Sequence, residues 1–379
     1  MADIQVRQVT TRGDLRAFVL FPWSIYRGDP NWVPPLVSDR LQYLDPATGP
    51  FYRQAEVALF LAQRGRRVVG TIASFVDHQR NEHLDQQEGG FGFFETVQEY
   101  PVAERLLDTA CAWLRARGLP RVCGPTSFGE HEWPGVLVAG ADCPPAMLEA
   151  HTPPYYKDFL ERYGMAKDHD LYAWRASCEQ IGEELKNIPP ELVRVAEVAR
   201  RAAKLTLRKV NLKEWDREVS IVRDLFNTTL QHHLPNFVPM SESDFRRFAS
   251  QMRPFLDPDL MVIAEVEGKP IGFCVAIPDV NQVLIRLNGR LFPFGWLKVA
   301  RYIRRIDVVS FKLMGVLEEY RHRGIDALLY METIRAVYEK GYRWLDGSLS
   351  SELNLTVNLV AQRLGAELYK QYRLYQMAL

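Results

Sequence analysis

The sequence predicts an α/β protein with mixed sheets, built in two halves that repeat one order of elements. Three observations carry this reading. Short apolar runs of β character alternate with amphipathic stretches of helical period along the whole chain. Both halves read β-α-β-β-β-α-β-α-β, although their sequence identity is low. Each half also holds a tight hairpin, turning at Arg64-Gly65-Arg66 in the first and Glu267-Gly268-Lys269 in the second. A length of 379 residues suits two domains, each able to bury a core.

In order, the first half opens with the strand IQVRQV and a helix started by the polar residues Thr11–Asp14. A Pro- and Asp-rich loop leads to the hairpin strands EVALFLAQ and RVVGTIASFV, and then to GGFGFFETV. PVAERLLDTACAWLRARG reads as a helix, with Pro101 in its first turn and Gly118 past its end. RVCGPTS is the next strand, PPYYKDFLERYG a helix and DHDLYAWRA a closing strand. In the second half the strand LTLRKVNL precedes a long helix from Trp215, and an S-x-x-D cap at Ser241–Asp244 opens another. The hairpin 260–279, the strand IDVVSFKLMGVL, the helix 324–341, the strand YRWLDGSL, the helix 352–365 and the strand 366–379 complete it. Between the halves, Pro189–Pro190 start a charged helix that reads equally as a linker or as a cover on the first domain. The expected division is 1–178, a linking segment 179–204, and 205–379.

With 47 basic and 47 acidic side chains, the chain has no global field for nucleic acid, and no nucleic-acid partner is expected. No apolar run is long enough for a membrane span, so no integral membrane contact is expected, and the charged first 25 residues show no signal peptide. Five scattered cysteines give neither a disulfide framework nor a zinc spacing. The adjacent pair His232–His233 has no carboxylate or cysteine at ligand spacing. A cytoplasmic protein without a metal is the expectation.

The most informative segment is GVLEEYRHRGIDALLYMETIRAVYEKG, residues 315–341. An apolar strand ends at Leu317, a loop runs from Glu319 to Gly324, and an amphipathic helix begins. That layout leaves backbone N–H groups free at a helix N-terminus, where the dipole favours an anion. Gly324 lets the backbone approach a bulky phosphate, and Arg321 and Arg323 add positive charge. The segment reads as a pyrophosphate cradle; the alternative is a strand-to-helix turn with two solvated arginines.

The R-x-x-G-x-(G/A) spacing resembles the acetyl-CoA motif of the GNAT (GCN5-related N-acetyltransferase) superfamily, and the second half follows that fold's order of elements. Glu352-Leu353-Asn354, followed eleven residues after Asn354 by Gly365, resembles the start of the family's last helix. Phe91-Gly92-Phe93-Phe94-Glu95, the loop YRHRGIDALLY and the strand Tyr369–Tyr375 resemble bacterial tandem-GNAT proteins of about this length. The likeness spans nearly the whole chain. It implies two tandem GNAT-like acyl-CoA N-acyltransferase domains, and transfer of an acyl group, most simply acetyl, from acetyl-CoA or another acyl-CoA. The acceptor would be the primary amine of a small molecule or peptide.

The same resemblance implies that amides of Arg321, His322, Arg323, Gly324, Ile325, Asp326 and Ala327 hold the CoA pyrophosphate. It implies too that the strand edge at Gly315–Leu317 pairs with the pantetheine arm, with N–H groups near Val316 and Leu317 polarising the thioester. Glu318 and Glu352 are the preferred bases, beside Asn354; Asp279, Glu319 and Asp346 are further carboxylates expected at the surface. His322 reads as a phosphate contact.

Three departures accompany this pattern. Asp326 stands where the family loop has Gly or Ala, and is expected to face away and support the helix N-terminus. Ala361 stands where many relatives carry a tyrosine acid, leaving Tyr369, Tyr372 or Tyr375 to replace it or merely to pack. In the first half Glu95, Glu99 and Glu104 occupy the place of a cradle, so only the second half is expected to bind acyl-CoA. Two other readings stay open: a non-catalytic CoA-binding sensor or scaffold, and a Fem-type aminoacyl transferase, against which neutral charge and the intact loop count. Residues 281–305 form an insertion with six basic and no acidic residues beside Leu291, Phe292, Phe294, Trp296 and Leu297. It reads as packing over the sheet or the other domain with its arginines in solvent, or as a stretch that lies on a membrane or covers an acyl chain.

Overall fold

A computed structural model describes residues 3–128, 133–182, 185–202, 204–231 and 237–379. The pair His232–His233 lies outside the described residues. Among those residues the strands are β1 (Ile4–Gln8), β2 (Ala55–Arg64), β3 (Arg67–Asp77), β4 (Glu88–Thr96), β5 (Arg121–Thr126), β6 (Val136–Ala139) and β7 (Ala166–Ser177). The second half contributes β8 (Leu205–Lys209), β9 (Met261–Val266), β10 (Lys269–Pro278), β11 (Val308–Val316), β12 (Trp344–Ser351) and β13 (Glu367–Ala378). All belong to one mixed sheet in the order β1-β2-β3-β4-β5-β13-β7-β12-β11-β10-β9-β8, with β6 also on β13.

That order shows an exchange. The closing strand of the first half, β7, pairs antiparallel with β12 (Leu345 opposite Ala176), and the closing strand of the chain, β13, pairs with β5 (Tyr375 opposite Gly124). The two exchanged strands lie side by side at the centre, Tyr372 opposite Leu171. Positions 178 and 205 therefore mark where the order of elements restarts, while each half's sheet is finished by a strand from the other.

Helices cover the sheet as their apolar stripes require. Tyr100–Arg115 buries Val102, Ala103, Leu106, Leu107 and Leu114 on the first half, and Ile325–Glu339 buries Ile325, Leu328, Leu329 and Ile334 on the second. Pro190–Arg200, opened by Pro190 in its first turn, buries Ala196 and Ala199 in the same core as Ile325 and Leu328. The linking helix is thus a cover on the second half rather than the first. Ser241 caps Glu242–Met252 by accepting the Asp244 N–H at 3.1 Å. The short strand β6 and the helices Val37–Leu44 and His78–Leu84 have no counterpart in the sequence reading. Each is too brief to show a period.

Two parallel pairs place the clefts. β4 meets β5 between Glu88 and Gly92, and β11 meets β12 from Val308–Trp344 to Phe311–Gly347. Beyond Phe311 and Gly347 the ladder stops although both strands continue.

Candidate active site

The second-half cleft opens at a bulge. β10 pairs Val275 with Leu313 and Ala276 with Phe311, so Lys312 is the extra residue of β11. Leu317 donates its N–H to Ile271 O on β10 at 2.9 Å, and strand alternation turns the backbone groups of Val316 and Met314 the other way, toward the gap. Arg321 closes part of that edge. Its Nε donates to Val316 O at 3.0 Å and its Nη2 to Thr229 O at 3.0 Å, which fixes the end of β11 to the helix Trp215–Gln231.

The helix Ile325–Glu339 begins at Gly324 without a side-chain cap, so the first-turn N–H groups of Ile325, Asp326 and Ala327 are open to an anion. Arg321, His322 and Asp326 line the adjoining cavity. Arg323 lies over the Tyr320 ring, 5.4 Å from its centroid. Gly324 has φ 75°, and a Cβ there would lie 2.5 Å from Val195 O. The close approach that demands glycine is thus to the helix Pro190–Arg200, not to a phosphate. Uncapped amides, an open strand edge and bordering cations fit the pyrophosphate and pantetheine of an acyl-CoA.

The cavity has a volume of about 1910 Å³ and runs through both halves. That is roughly twice the upper range of about 1,000 Å³ for ordinary small-molecule sites. Its walls are largely apolar: Phe226, Phe245 and Phe248 on the second-half side, and Tyr43, Phe51 and Phe128 on the first. Phe51 stacks on Phe128 with centroids 4.7 Å apart. Lys312 and Ser348 join the lining where β11 and β12 separate, and further charged residues, among them Arg40, Arg80, Asp244 and Arg247, stand elsewhere on it.

Behind them lies a buried polar network. Asp346 Oδ2 accepts from Ser348 Oγ at 2.6 Å and from Ser310 Oγ, and its Oδ1 accepts from the Tyr369 hydroxyl at 2.9 Å. Lys312 Nζ donates to Ser348 Oγ at 2.9 Å and stands 3.6 Å from Asp346. Tyr369 also reaches Glu149 Oε2 at 3.4 Å, and Tyr372 donates to the same oxygen at 3.1 Å. The other oxygen, Glu149 Oε1, is buried without a hydrogen-bond partner among the described residues. Asp279 accepts the N–H groups of Met147 and Asn281 at 2.9 and 3.1 Å, tying the first-half segment 144–150 to β10.

Burial first, and then the charge of Asp346, pushes the Glu149 carboxyl up to about 7. Burial drives Asp279 up to about 7 as well, with Asp346 adding to it. The phenols of Tyr369 and Tyr372 stand well above their ordinary range, from burial and then the facing carboxylates.

The sequence-derived candidates divide. Glu318 lines the cavity on an exposed turn. Glu352 is turned to the start of β7, accepting from Lys167 Nζ at 2.8 Å and the Asp170 N–H at 3.0 Å. Asn354 caps the helix Leu355–Arg363 by accepting the Val357 N–H at 3.3 Å. Neither of the latter two carries a free proton acceptor to the cleft. Asp279 and Asp346, expected at the surface, are 5% and 1% exposed. Ala361 lines the cavity, and among the three closing-strand tyrosines Tyr369 points at Asp346 whereas Tyr375 donates to Glu161 at 3.1 Å. Lys312 and Glu149 were missed as site residues. A lysine inside the apolar run VVSFKLMGV is the signal that pointed to the first.

In the first-half cleft Glu95 lies within β4 and accepts from Tyr156 at 2.7 Å and Tyr26 at 3.0 Å. Burial raises its carboxyl to about 7. Glu99 is paired with Arg64, and Pro101 removes an N–H from the first turn of Tyr100–Arg115.

Similarity to solved structures gives the class. A tandem GNAT protein from the clavulanic acid biosynthesis pathway matches 99% of this chain and 98% of its own at TM-score 0.57 and 13% identity. A GCN5-related N-acetyltransferase from Sphaerobacter thermophilus matches 99% and 95% at TM-score 0.52. The fold is therefore that of a tandem GNAT protein. No family model matches the chain.

In sequence the chain is 33% identical over 380 residues to Protein YghO of Escherichia coli K12, covering 98% of this chain and 94% of that protein. It is 32% identical over 391 residues to the bacterial ceramide synthase of Caulobacter vibrioides, covering 100% and 98%. The chain belongs to the family of these two proteins.

Proposed function

We propose that the protein transfers a long acyl group from an acyl-CoA to the primary amine of a long-chain amino alcohol. The carrying observation is the apolar cavity that crosses both halves and meets polar groups at Lys312 and Ser348. With CoA at the 321–327 end, an acetyl group would leave the apolar regions around Phe226, Phe245 and Phe248 and around Tyr43, Phe51 and Phe128 unfilled, whereas two hydrocarbon chains match them. The product named for the Caulobacter relative, a ceramide, is an N-acylated long-chain amino alcohol.

In this reading the uncapped amides of Ile325–Ala327 hold the pyrophosphate, and the open edge at Met314 and Val316 aligns the thioester beside Lys312. The amine attacks the thioester carbon; a C–N bond forms and the C–S bond breaks. Ser348 takes the amine proton as it passes its own to Asp346 across 2.6 Å. Lys312 stabilises the developing oxyanion and protonates the departing thiolate, and Asp346, 3.6 Å away, restores its proton. Tyr369 and Glu149 hold Asp346 in place. The absence of a tyrosine at Ala361 is met by this lysine.

The test is thiol release from palmitoyl-CoA and acetyl-CoA with sphinganine, checked by mass spectrometry of the amide. Palmitoyl transfer well above acetyl transfer is expected. Tight CoA binding with no thiol release from any amine would replace this reading with that of a CoA sensor.

A further inference from the structure

The segment 281–305, which joins β10 to β11, borders the cavity on one side and solvent on the other. Val280, Asn281 and Leu284 line the cavity. Phe292, Phe294, Trp296 and Leu297 stand 76%, 71%, 52% and 50% exposed. Four large apolar side chains within six consecutive positions are a surface that water solvates poorly, and such patches mark contact sites.

The segment is held, not loose. Trp23 Nε1 donates to Asn288 Oδ1 at 2.9 Å, and the Val37 N–H donates to Gly289 O at 3.0 Å. A Cβ on Gly289 would lie 2.4 Å from the Trp23 ring, so the first half is packed hard against the segment's base. The root thus packs on the other half with the arginines in solvent, as one expectation had it, while the aromatic tip is presented rather than packed.

Charge selects the partner. Arg286, Arg290, Lys298, Arg301, Arg304 and Arg305 are all exposed, and none has a carboxylate partner among the described residues. Lys340, by contrast, is paired with both Asp257 and Asp259. Arg286, Arg301 and Arg305 gather 5.8, 6.0 and 5.6 Å from the Tyr302 ring centroid. Two copies meeting through this face would set six cations against six. An acyl chain filling the cavity would leave those cations unmatched. An anionic bilayer satisfies both parts of the patch: phosphates for the cations, and a headgroup-level apolar layer for the aromatic tip.

We propose that residues 281–305 dock the protein on an anionic lipid surface, with Phe292, Phe294, Trp296 and Leu297 entering the interface. No helix is long and apolar enough to cross a membrane among the described residues, so this contact is peripheral. It places the cavity border at Val280 and Leu284 next to a phase in which long-chain substrates dissolve. The docking itself does not depend on the acyl-transfer reading.

Vesicle flotation of the full chain tests it, with equimolar phosphatidylcholine and phosphatidylglycerol against phosphatidylcholine alone, and without acyl-CoA. Flotation with the anionic vesicles and its loss at high salt are expected. Arg301→Glu with Arg304→Glu breaks no ion pair or hydrogen bond, only the long Arg301–Tyr302 contact, and should lower partitioning on the order of tenfold or more; Phe292→Ser with Trp296→Ser should lower it as well. Failure of the wild type to float with anionic vesicles overturns the proposal, as does flotation of the charge-reversed variant at wild-type level. A dimer in sedimentation that Phe292→Ser with Trp296→Ser abolishes, with no vesicle binding, would instead assign the face to a second copy. Transfer activity without flotation would leave the enzyme reading standing and remove this one.

Discussion

Two residues, Lys312 and Asp346, concentrate the chemistry, and their burial makes each sensitive in a different way. Asp346→Asn keeps the shape and the contact to Tyr369 but removes the proton acceptor. Its transfer rate should fall by about 10²–10⁴ with little change in KM, read in the thiol-release assay. Lys312→Met leaves a buried carboxylate facing apolar volume, so it should also cost about 3–5 kcal/mol of stability in a denaturant melt. Glu149 gives the pH signature. Its folded value, about 7, lies above that of an unfolded glutamate, so the folded chain holds a proton that the unfolded chain releases first. The stability this supplies is full below the unfolded value and is lost as pH rises through about 7. Glu149→Gln should therefore gain on wild type as the pH rises from about 4.5 to about 7, by on the order of 3 kcal/mol, and then level off. A gain independent of pH would show that Glu149 is not held protonated.

At the scale of elements, the strand–loop–helix at 315–341 owes its shape to two tethers. Arg321 joins β11 to the helix Trp215–Gln231, and Gly324 seats the loop against Val195. Arg321→Ala frees the Val316 and Thr229 carbonyls and loosens the open edge, so acyl-CoA affinity measured by calorimetry should drop about tenfold or more. Arg323→Ala removes only a stacked surface cation and should change affinity less than about twofold. Equal losses in both would mean that the side-chain charges, not the backbone, hold the phosphate. The placement of this unit was legible because a strand end, a glycine and an amphipathic helix are local patterns. The role of Gly324 was not, since its neighbour Val195 lies on a helix more than a hundred residues away in sequence. The same holds for Glu149 and Asp346. Asp346 reads as a surface charge in the sequence, and only the fold buries it and brings it with Glu149 to one tyrosine.

For the whole molecule, the order of elements could be read while the partners of the closing strands could not. DHDLYAWRA and ELYKQYRLYQ alternate equally well, and a period of two says that a strand has two faces without saying which edge it joins. The exchange has a thermodynamic consequence. Tyr375, fully buried on β13, packs in the first-half core with Val102, Leu106 and Leu160, and Ala176 and Cys178, at the end of β7 and just after it, pack in the second-half core with Leu345. Neither core can be dismantled without withdrawing a strand from the other. Two GNAT folds joined by a linker would melt in two steps; these two share their central strands and should melt in one. Urea unfolding followed by tryptophan fluorescence and by far-ultraviolet circular dichroism should give coincident single transitions. Removal of residues 367–379 should abolish near-ultraviolet structure throughout the chain, including the first-half aromatics around Phe128. Two separated transitions, or a first half that keeps its tertiary signal without β13, would mean that each half can complete its sheet alone.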